Sequence, residues 1–405
     1  MAVGDGKLGV VHAVAGVRLA AVESNIRYEN RLDLVLIEIP EQSNVAGVFT
    51  QNAFCAAPVS ISRQHLQQAS SRYFLINTGN ANAGTGKAGE AAAISCCQAL
   101  ADLGQVSPEQ VLPFSTGVIG EALPVNKIIQ AIPQALARLS DCNWPEAAKG
   151  ILTTDTRPKI SSAQIELAGT TVTITGIAKG SGMLKPNMAT MLGFVFTDAQ
   201  IDKAILSRFL SAAVQHSFNR ITVDGDTSTN DSCMLVATGK SALKIEDVDG
   251  DVAIAFAEAL NAVFLELATA LIKDAEGATK FMTIKVSQGA SLEECLRVAY
   301  AVAESPLVKT AFFAADPNWG RILAAVGRAG IEDLNIEAVT ISLGDVRLVS
   351  NGAVDVNYTE SMGQAEMDKD EIFVEIKLAR GEASTSVFTC DLSHDYVQIN
   401  ADYRS

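Results

Sequence analysis

The chain has 405 residues, of which 48% are hydrophobic, 19% charged and only 6% aromatic. At the usual ~100–200 residues per domain, that length predicts two or three domains and a core large enough to fold without disulfide staples. With 31 Lys and Arg against 46 Asp and Glu the formal charge is −15. A field of that sign repels nucleic acid and anionic membrane, so neither is expected as a partner.

The first twenty residues lack a basic stretch followed by an apolar one, so no export signal is expected. Strand-like runs at 34–39 and 72–77 lead to an Ala-rich helix over 86–103. Cys96 and Cys97 lie in that helix. The seven cysteines (55, 96, 97, 142, 233, 295, 390) show no CxxC or His/Cys spacing. Buried thiols in a reducing cytoplasm are expected, with no metal site. Strands at 170–177 and 191–197 precede a helix over 198–218.

The most apolar segment, 252–272, sets Phe256, Leu260, Phe264, Leu267 and Leu271 at helical spacing but carries Glu258, Asn261 and Glu266. That mixture predicts a buried core helix, not a membrane span. A helix over 292–304 opens on the capping box Ser291-Leu-Glu-Glu294, with Pro306 past its end. A helix over 320–330 and strands at 339–343 and 372–378 come next. Several strands adjoin without an intervening helix, so the class is α/β or mixed α+β with layered, mixed sheets.

Four stretches invite a chemical reading. Asn77-Thr-Gly79-Asn-Ala-Asn-Ala-Gly84-Thr-Gly86-Lys87 follows a strand and opens a helix, the setting in which glycines turn backbone N–H groups onto a phosphate. Thr85-Gly86 stand where Lys and Ser/Thr are required, so a Gly/Asn turn packing a strand closely on a helix is expected instead. Asp224-Gly-Asp226-Thr-Ser-Thr-Asn230-Asp231 has the acidity of a Ca²⁺ loop. An EF-hand begun at Asp224 needs Gly and Glu at its sixth and twelfth positions, which are Thr229 and Leu235. A structural turn bordering a pocket is expected there. His12, His65, His216 and His394 are far apart and G-x-S-x-G is absent, although a Ser-His-Asp triad assembles in three dimensions and needs no local motif.

The fourth stretch runs from Lys179 through Gly-Ser-Gly-Met-Leu-Lys to Pro186, Asn187, Met188, Ala189 and Thr190. It reads as a strand entering a Gly-rich turn, a second turn at Pro186-Asn187, and a hydrophobic strand beginning at Thr190. One reading is a plain strand–loop–strand connection. The other is an N-terminal nucleophile: cleavage of Ala189–Thr190 would give Thr190 a free α-amine beside its own hydroxyl. Such an amine, with an unperturbed pKa of about 7.7–8.0, is the local base that a hydroxyl nucleophile needs. Composition and periodicity leave both open.

The segment 179–192 resembles the autoprocessing segment of the ornithine acetyltransferase family, also called glutamate N-acetyltransferase. Other blocks match in the same order: Phe49-Thr-Gln-Asn52, Ala56-Ala-Pro-Val59, Asn77-Thr-Gly-Asn-Ala-Asn-Ala83, Ser115-Thr-Gly-Val-Ile-Gly120 and Thr153-Thr-Asp-Thr156. Further on come Val223 to Asp231, Asp316-Pro-Asn-Trp-Gly-Arg321 and Asp395 to Ala401. The resemblance covers essentially the whole chain.

It implies a layered sandwich of mixed β-sheets flanked by helices, like the self-processing ornithine acetyltransferase and aminopeptidase fold. It implies self-cleavage into an α chain (1–189) and a β chain (190–405) that stay together as an α2β2 heterotetramer in the cytoplasm. The implied reaction is ping-pong acetyl transfer from N-acetylornithine to glutamate within arginine biosynthesis. No metal or bound cofactor is implied, and acetyl-CoA is a co-substrate in some members. Thr190 would be the nucleophile and Ala189–Thr190 the cleavage site. Thr116 and Gly117 match the oxyanion pair, while Thr153, Lys179, Thr190, Glu276, Asn400 and Ser405 match substrate contacts. Two departures stand out: Ala275 replaces a Gly in the loop of Glu276, and Ser405 stands where many relatives end in Thr. The competing enzyme class is a self-processing N-terminal-nucleophile amidohydrolase or aminopeptidase, and the non-catalytic alternative is a metabolite-binding protein with an intact Ala189–Thr190 bond.

Overall fold

The strand Leu34–Glu38 is apolar on both faces, and a strand of that kind must be covered twice. In the computed structural model, which describes residues 2–185 and 191–403, it is. Val35 and Ile37 enter one core with Phe74, Ile76, Leu112 and Phe114. Leu34 and Leu36 enter another with Tyr73, Leu75 and Val111. The described residues divide into two compact units, one of Lys7–Asn219 with Thr227–Leu271, the other of Met1–Gly6, Arg220–Asp226 and Ile272–Ser405.

The larger unit holds two sheets. Arg18–Val22, Leu34–Glu38, Tyr73–Asn80 and Val111–Val118 form a four-stranded sheet in that order, antiparallel except for the last, parallel pair. The second sheet runs Asn44–Phe49, Ser232–Ala237, Leu192–Thr197, Thr170–Lys179, Lys159–Leu167. There only the pair Ser232–Ala237 and Leu192–Thr197 is parallel. Phe74 and Phe114 of the first sheet meet Phe194 and Phe196 of the second, with ring centroids 5.0 Å apart for Phe114 and Phe194.

The outer face of the four-stranded sheet is covered by helices Gly86–Gly104 and Val125–Ala137, through Cys96, Cys97, Leu100, Ile128 and Ile132. Lys203–His216 packs on the outer face of the five-stranded sheet. Leu267 of helix Asp251–Lys273 reaches that sheet at Gly176. Two mixed sheets between helices are the expected architecture, α/β with layered sheets.

The smaller unit has one six-stranded mixed sheet, ordered Ala353–Val354, Val346–Ser350, Thr340–Leu343, Glu371–Lys377, Phe281–Gly289, Ala383–Cys390. One face carries Ile284, Val286, Val374 and Ile376 into a core closed by helices Leu292–Ala303, Pro306–Phe313 and Trp319–Gly327.

Several expectations need adjustment. The helix expected from 198 begins at Lys203, because the Asp198 carboxylate accepts the Thr173 N–H and Gln200–Ile201 pairs with Lys244–Ile245. Ser291 Oγ does accept the Glu294 N–H, but the Glu294 carboxylate turns to Ala290 N–H and Arg380, leaving half a capping box. Pro306 stands in the first turn of the next helix, capped by Ser305. Asp251–Lys273 is long and apolar enough to cross a membrane by length and composition. Its apolar stripe is occupied within the larger unit, with Phe256 against Phe209 and Phe264 against Phe218. All seven cysteines are free and five are buried; burial pushes the Cys96 thiol up to about 12.

Candidate active site

Alternation along the strands decides which side chains line the sandwich beyond its aromatic core. Phe74 and Ile76 face the second sheet, so Thr78 does too; Leu112 and Phe114 do, so Thr116 joins them. From the second sheet Ile177 points inward, and Lys179 after it. At this end of the sandwich the lining changes from phenylalanine to hydroxyl and ammonium, and Lys179 Nζ donates to Thr116 Oγ1 at 3.1 Å.

Gly117 explains the backbone here. Its φ is +135°, and a Cβ would lie 2.3 Å from the Gly79 carbonyl carbon and 2.5 Å from Asn80 N. The two parallel strands approach too closely for any side chain, and the register shifts at Gly79 and Asn80. The asparagines of 77–86 serve this turn: Asn77 Nδ2 donates to Asn80 O, Asn80 Nδ2 to Glu121 O and Ala122 O, and Asn82 Nδ2 to Gly89 O. The stretch is the expected Gly/Asn turn.

Lys179 is surrounded by carboxylates of opposite character. Asp155 Oδ1 is 2.5 Å from Lys159 Nζ, with side chains 0% and 1% exposed, and accepts the Gly180 N–H at 2.8 Å. Burial alone would raise the Asp155 carboxyl, but Lys159, Lys179 and these hydrogen bonds hold it well below the usual carboxylate range. Thr153 joins through Asp155, whose Oδ2 accepts the Thr153 N–H at 3.0 Å. Asp231 behaves in the opposite sense. Its Oδ2 is buried with no hydrogen-bond partner among the described residues, and burial pushes its carboxyl well up, with Ser228 and Lys179 offsetting only part. Neighbouring Asn230 Nδ2 ties Ala81 O and Ser115 O together at 2.6 and 2.9 Å.

In the smaller unit Glu276, 7% exposed, accepts from Asn400 Nδ2 at 2.7 Å. Tyr396 O–H donates to Asp224 at 3.1 Å, and burial, then Asp224, Glu276 and Asp226, push its phenol up. The Ala275 departure is structurally mild. Ala275 is not among the residues with positive φ; Gly277 is, at +69°, and a Cβ there would meet Ser393 Oγ at 2.5 Å and Tyr396 N at 2.7 Å.

Thr116, Gly117, Lys179 and, through Asp155, Thr153 are thus gathered in one unit, and Glu276 with Asn400 in the other. Ala189, Thr190 and Ser405 lie outside the described residues. Among the described residues no group of three or more His, Cys, Asp and Glu is set to hold a metal. His65 bonds Val111 O, His216 bonds Ala212 O and His394 packs on Phe313. Asn230 and Asp231 belong to the stretch expected as a structural turn bordering a pocket and Asp155 to a matched block, but none of them, nor Lys159, was given an individual role from the sequence. The available signal was an Asp and a Lys four apart just before an apolar strand.

The ArgJ family model matches residues 18–405. The arginine biosynthesis bifunctional protein ArgJ of Pseudomonas fluorescens is 52% identical over 406 residues, covering 100% of both chains. That of Psychrobacter arcticus is 54% identical over 396 residues, 98% of this chain and 97% of its own. A crystal structure of the Bacillus halodurans protein of the same name is 36% identical over 51% of this chain and 96% of that one, with a TM-score of 0.48. The chain belongs to the ArgJ family and is an enzyme.

Proposed function

We propose that the chain cuts itself between Ala189 and Thr190 and then transfers acetyl groups from N-acetylornithine to glutamate through an acetyl-Thr190 ester. In the cut, Thr190 Oγ attacks the Ala189 carbonyl, the amide nitrogen leaves as the Thr190 amine, and water opens the ester to a free Ala189 carboxylate. In the transfer, that amine takes the hydroxyl proton as Oγ attacks the acetyl carbonyl and returns it to the departing ornithine amine. Glutamate's amine then attacks the ester, and Thr190 Oγ recovers a proton. The α (1–189) and β (190–405) chains remain together, as α2β2, in the cytoplasm.

The observation that carries this reading is the contact of Lys179 with Thr116 beside the close strand approach at Gly117. Thr116 O–H and a Gly117 N–H supply oxyanion donors, each worth about 3–4 kcal/mol in other enzymes. Lys179 supplies the cation for a substrate carboxylate, and Glu276 with Asn400 a counterpart for a substrate ammonium. No bound metal or cofactor has a step in this scheme. The word "bifunctional" in the relatives' names supports acetyl-CoA as a second donor to glutamate.

The test is Thr190→Ala. We expect one uncut polypeptide on a denaturing gel and no N-acetylglutamate; a variant that still transferred acetyl groups would overturn the reading. Free acetate formed by the native enzyme in place of N-acetylglutamate would favour the amidohydrolase class.

A further inference from the structure

Thr78 has a hydroxyl that the packing does not need. It is 2% exposed, and its Oγ1 is among the few buried side-chain oxygens with no hydrogen-bond partner among the described residues. A valine has the same shape and would fill the space without burying an unpaired polar atom. The position is specific: Thr78 is paired with Thr116 across the parallel ladder, immediately before the Gly79 register shift, and on the same inter-sheet face. Its backbone is pinned by N–H donation to Asp33 O at 2.9 Å.

Paired side chains on neighbouring strands stand about 5 Å apart at the β-carbon, so one threonine rotamer change brings two such hydroxyls within bonding distance. Thr116 Oγ1 has one proton and two lone pairs, and one lone pair accepts from Lys179 Nζ at 3.1 Å. If Thr116 turns its proton onto a developing oxyanion while Lys179 moves to a substrate carboxylate, its oxygen loses the donor that oriented it. The cross-strand donor is then Thr78.

We infer that Thr78 is a positioning residue of the acyl-transfer site, whose hydroxyl donates to Thr116 Oγ1 in the loaded enzyme and replaces Lys179 there. A hydroxyl that accepts one hydrogen bond donates a stronger one, so the effect falls on the transition state and not on substrate capture. The inference rests on the oxyanion role proposed for Thr116.

The experiment compares Thr78→Val, Thr78→Ser, Thr116→Val and the Thr78→Val/Thr116→Val double variant, with kcat and KM expressed per cleaved chain. Thr78→Val should lose about tenfold in kcat with KM unchanged, the effect of one hydrogen bond, and Thr78→Ser should recover most of it. In the Thr116→Val background the Thr78 change should cost nothing further. Full-rate Thr78→Val, or losses that multiply in the double variant, overturns the inference while Thr116→Val remains impaired. Native turnover by Thr116→Val would instead remove the oxyanion reading itself.

Discussion

Around Lys179 the polar groups are fixed by strand ladders and by a carboxylate buried against a second lysine. Around Glu276 they stand on a short loop and on the outer surface of the helix His394–Ala401, where Asn400 is exposed. The first cluster is cationic with hydroxyls and sits at the end of a sheet sandwich. The second is acidic and is held by single side chains. Changes in the first should therefore cost folding stability, and changes in the second substrate affinity.

Gly117→Ala is the strongest way to break that contrast. Its methyl would overlap the Gly79 backbone at a positive φ, so the parallel pair must separate. We expect loss of soluble folded protein or of all activity, measured by near-UV circular dichroism and acetyl transfer. Asp155→Asn comes next. It leaves the buried Lys159 without its counter-charge, which costs about 3–5 kcal/mol at neutral pH. The depressed Asp155 carboxyl sets the sign with pH. Its contribution is complete above the unfolded carboxyl's range, near pH 4, and is lost as pH falls toward the folded value. Urea midpoints of variant and native protein should differ most at pH 7 and converge in acid. A gap that stayed constant down to pH 2 would assign the loss to packing.

Glu276→Gln is the smallest. Its amide oxygen can still accept from Asn400, so stability should move by less than about 0.5 kcal/mol. The KM for the ammonium-bearing substrate should rise by about tenfold with kcat largely kept, as for a lost charge-assisted contact. A fall in kcat alone would place Glu276 with the first cluster.

Legibility in the sequence followed the same division. Uniformly apolar runs such as 34–39 and 191–197 read directly as strands, and the stripe of 252–273 as a helix. Val111–Val118 escaped because Pro113 and Gly117 interrupt it; Pro113 is tolerated because the strand lies at the sheet edge, and Gly117 because the chain passes so close to Gly79. The helix Val125–Ala137 was hidden by Pro133 inside it. Thr116 and Lys179 were recognisable as motif members. Asp155 and Asp231 also fall in matched blocks. The pairing of Asp155 with Lys159 and the burial of Asp231 were not legible, because burial of a charge depends on strands far apart in sequence.

The five-stranded sheet has a consequence for the fragments the cut would leave behind. Six residue pairs join Thr170–Lys179 to Leu192–Thr197, and six more join Asn44–Phe49 to Ser232–Ala237. Each ladder would have one strand from either side of residue 189. The products would then be complementary fragments, and neither could close this sheet alone. Refolding from denaturant would become a second-order encounter for the cut protein and stay first-order for an uncut one, so the broken peptide bond would act as a one-way record that folding had come first.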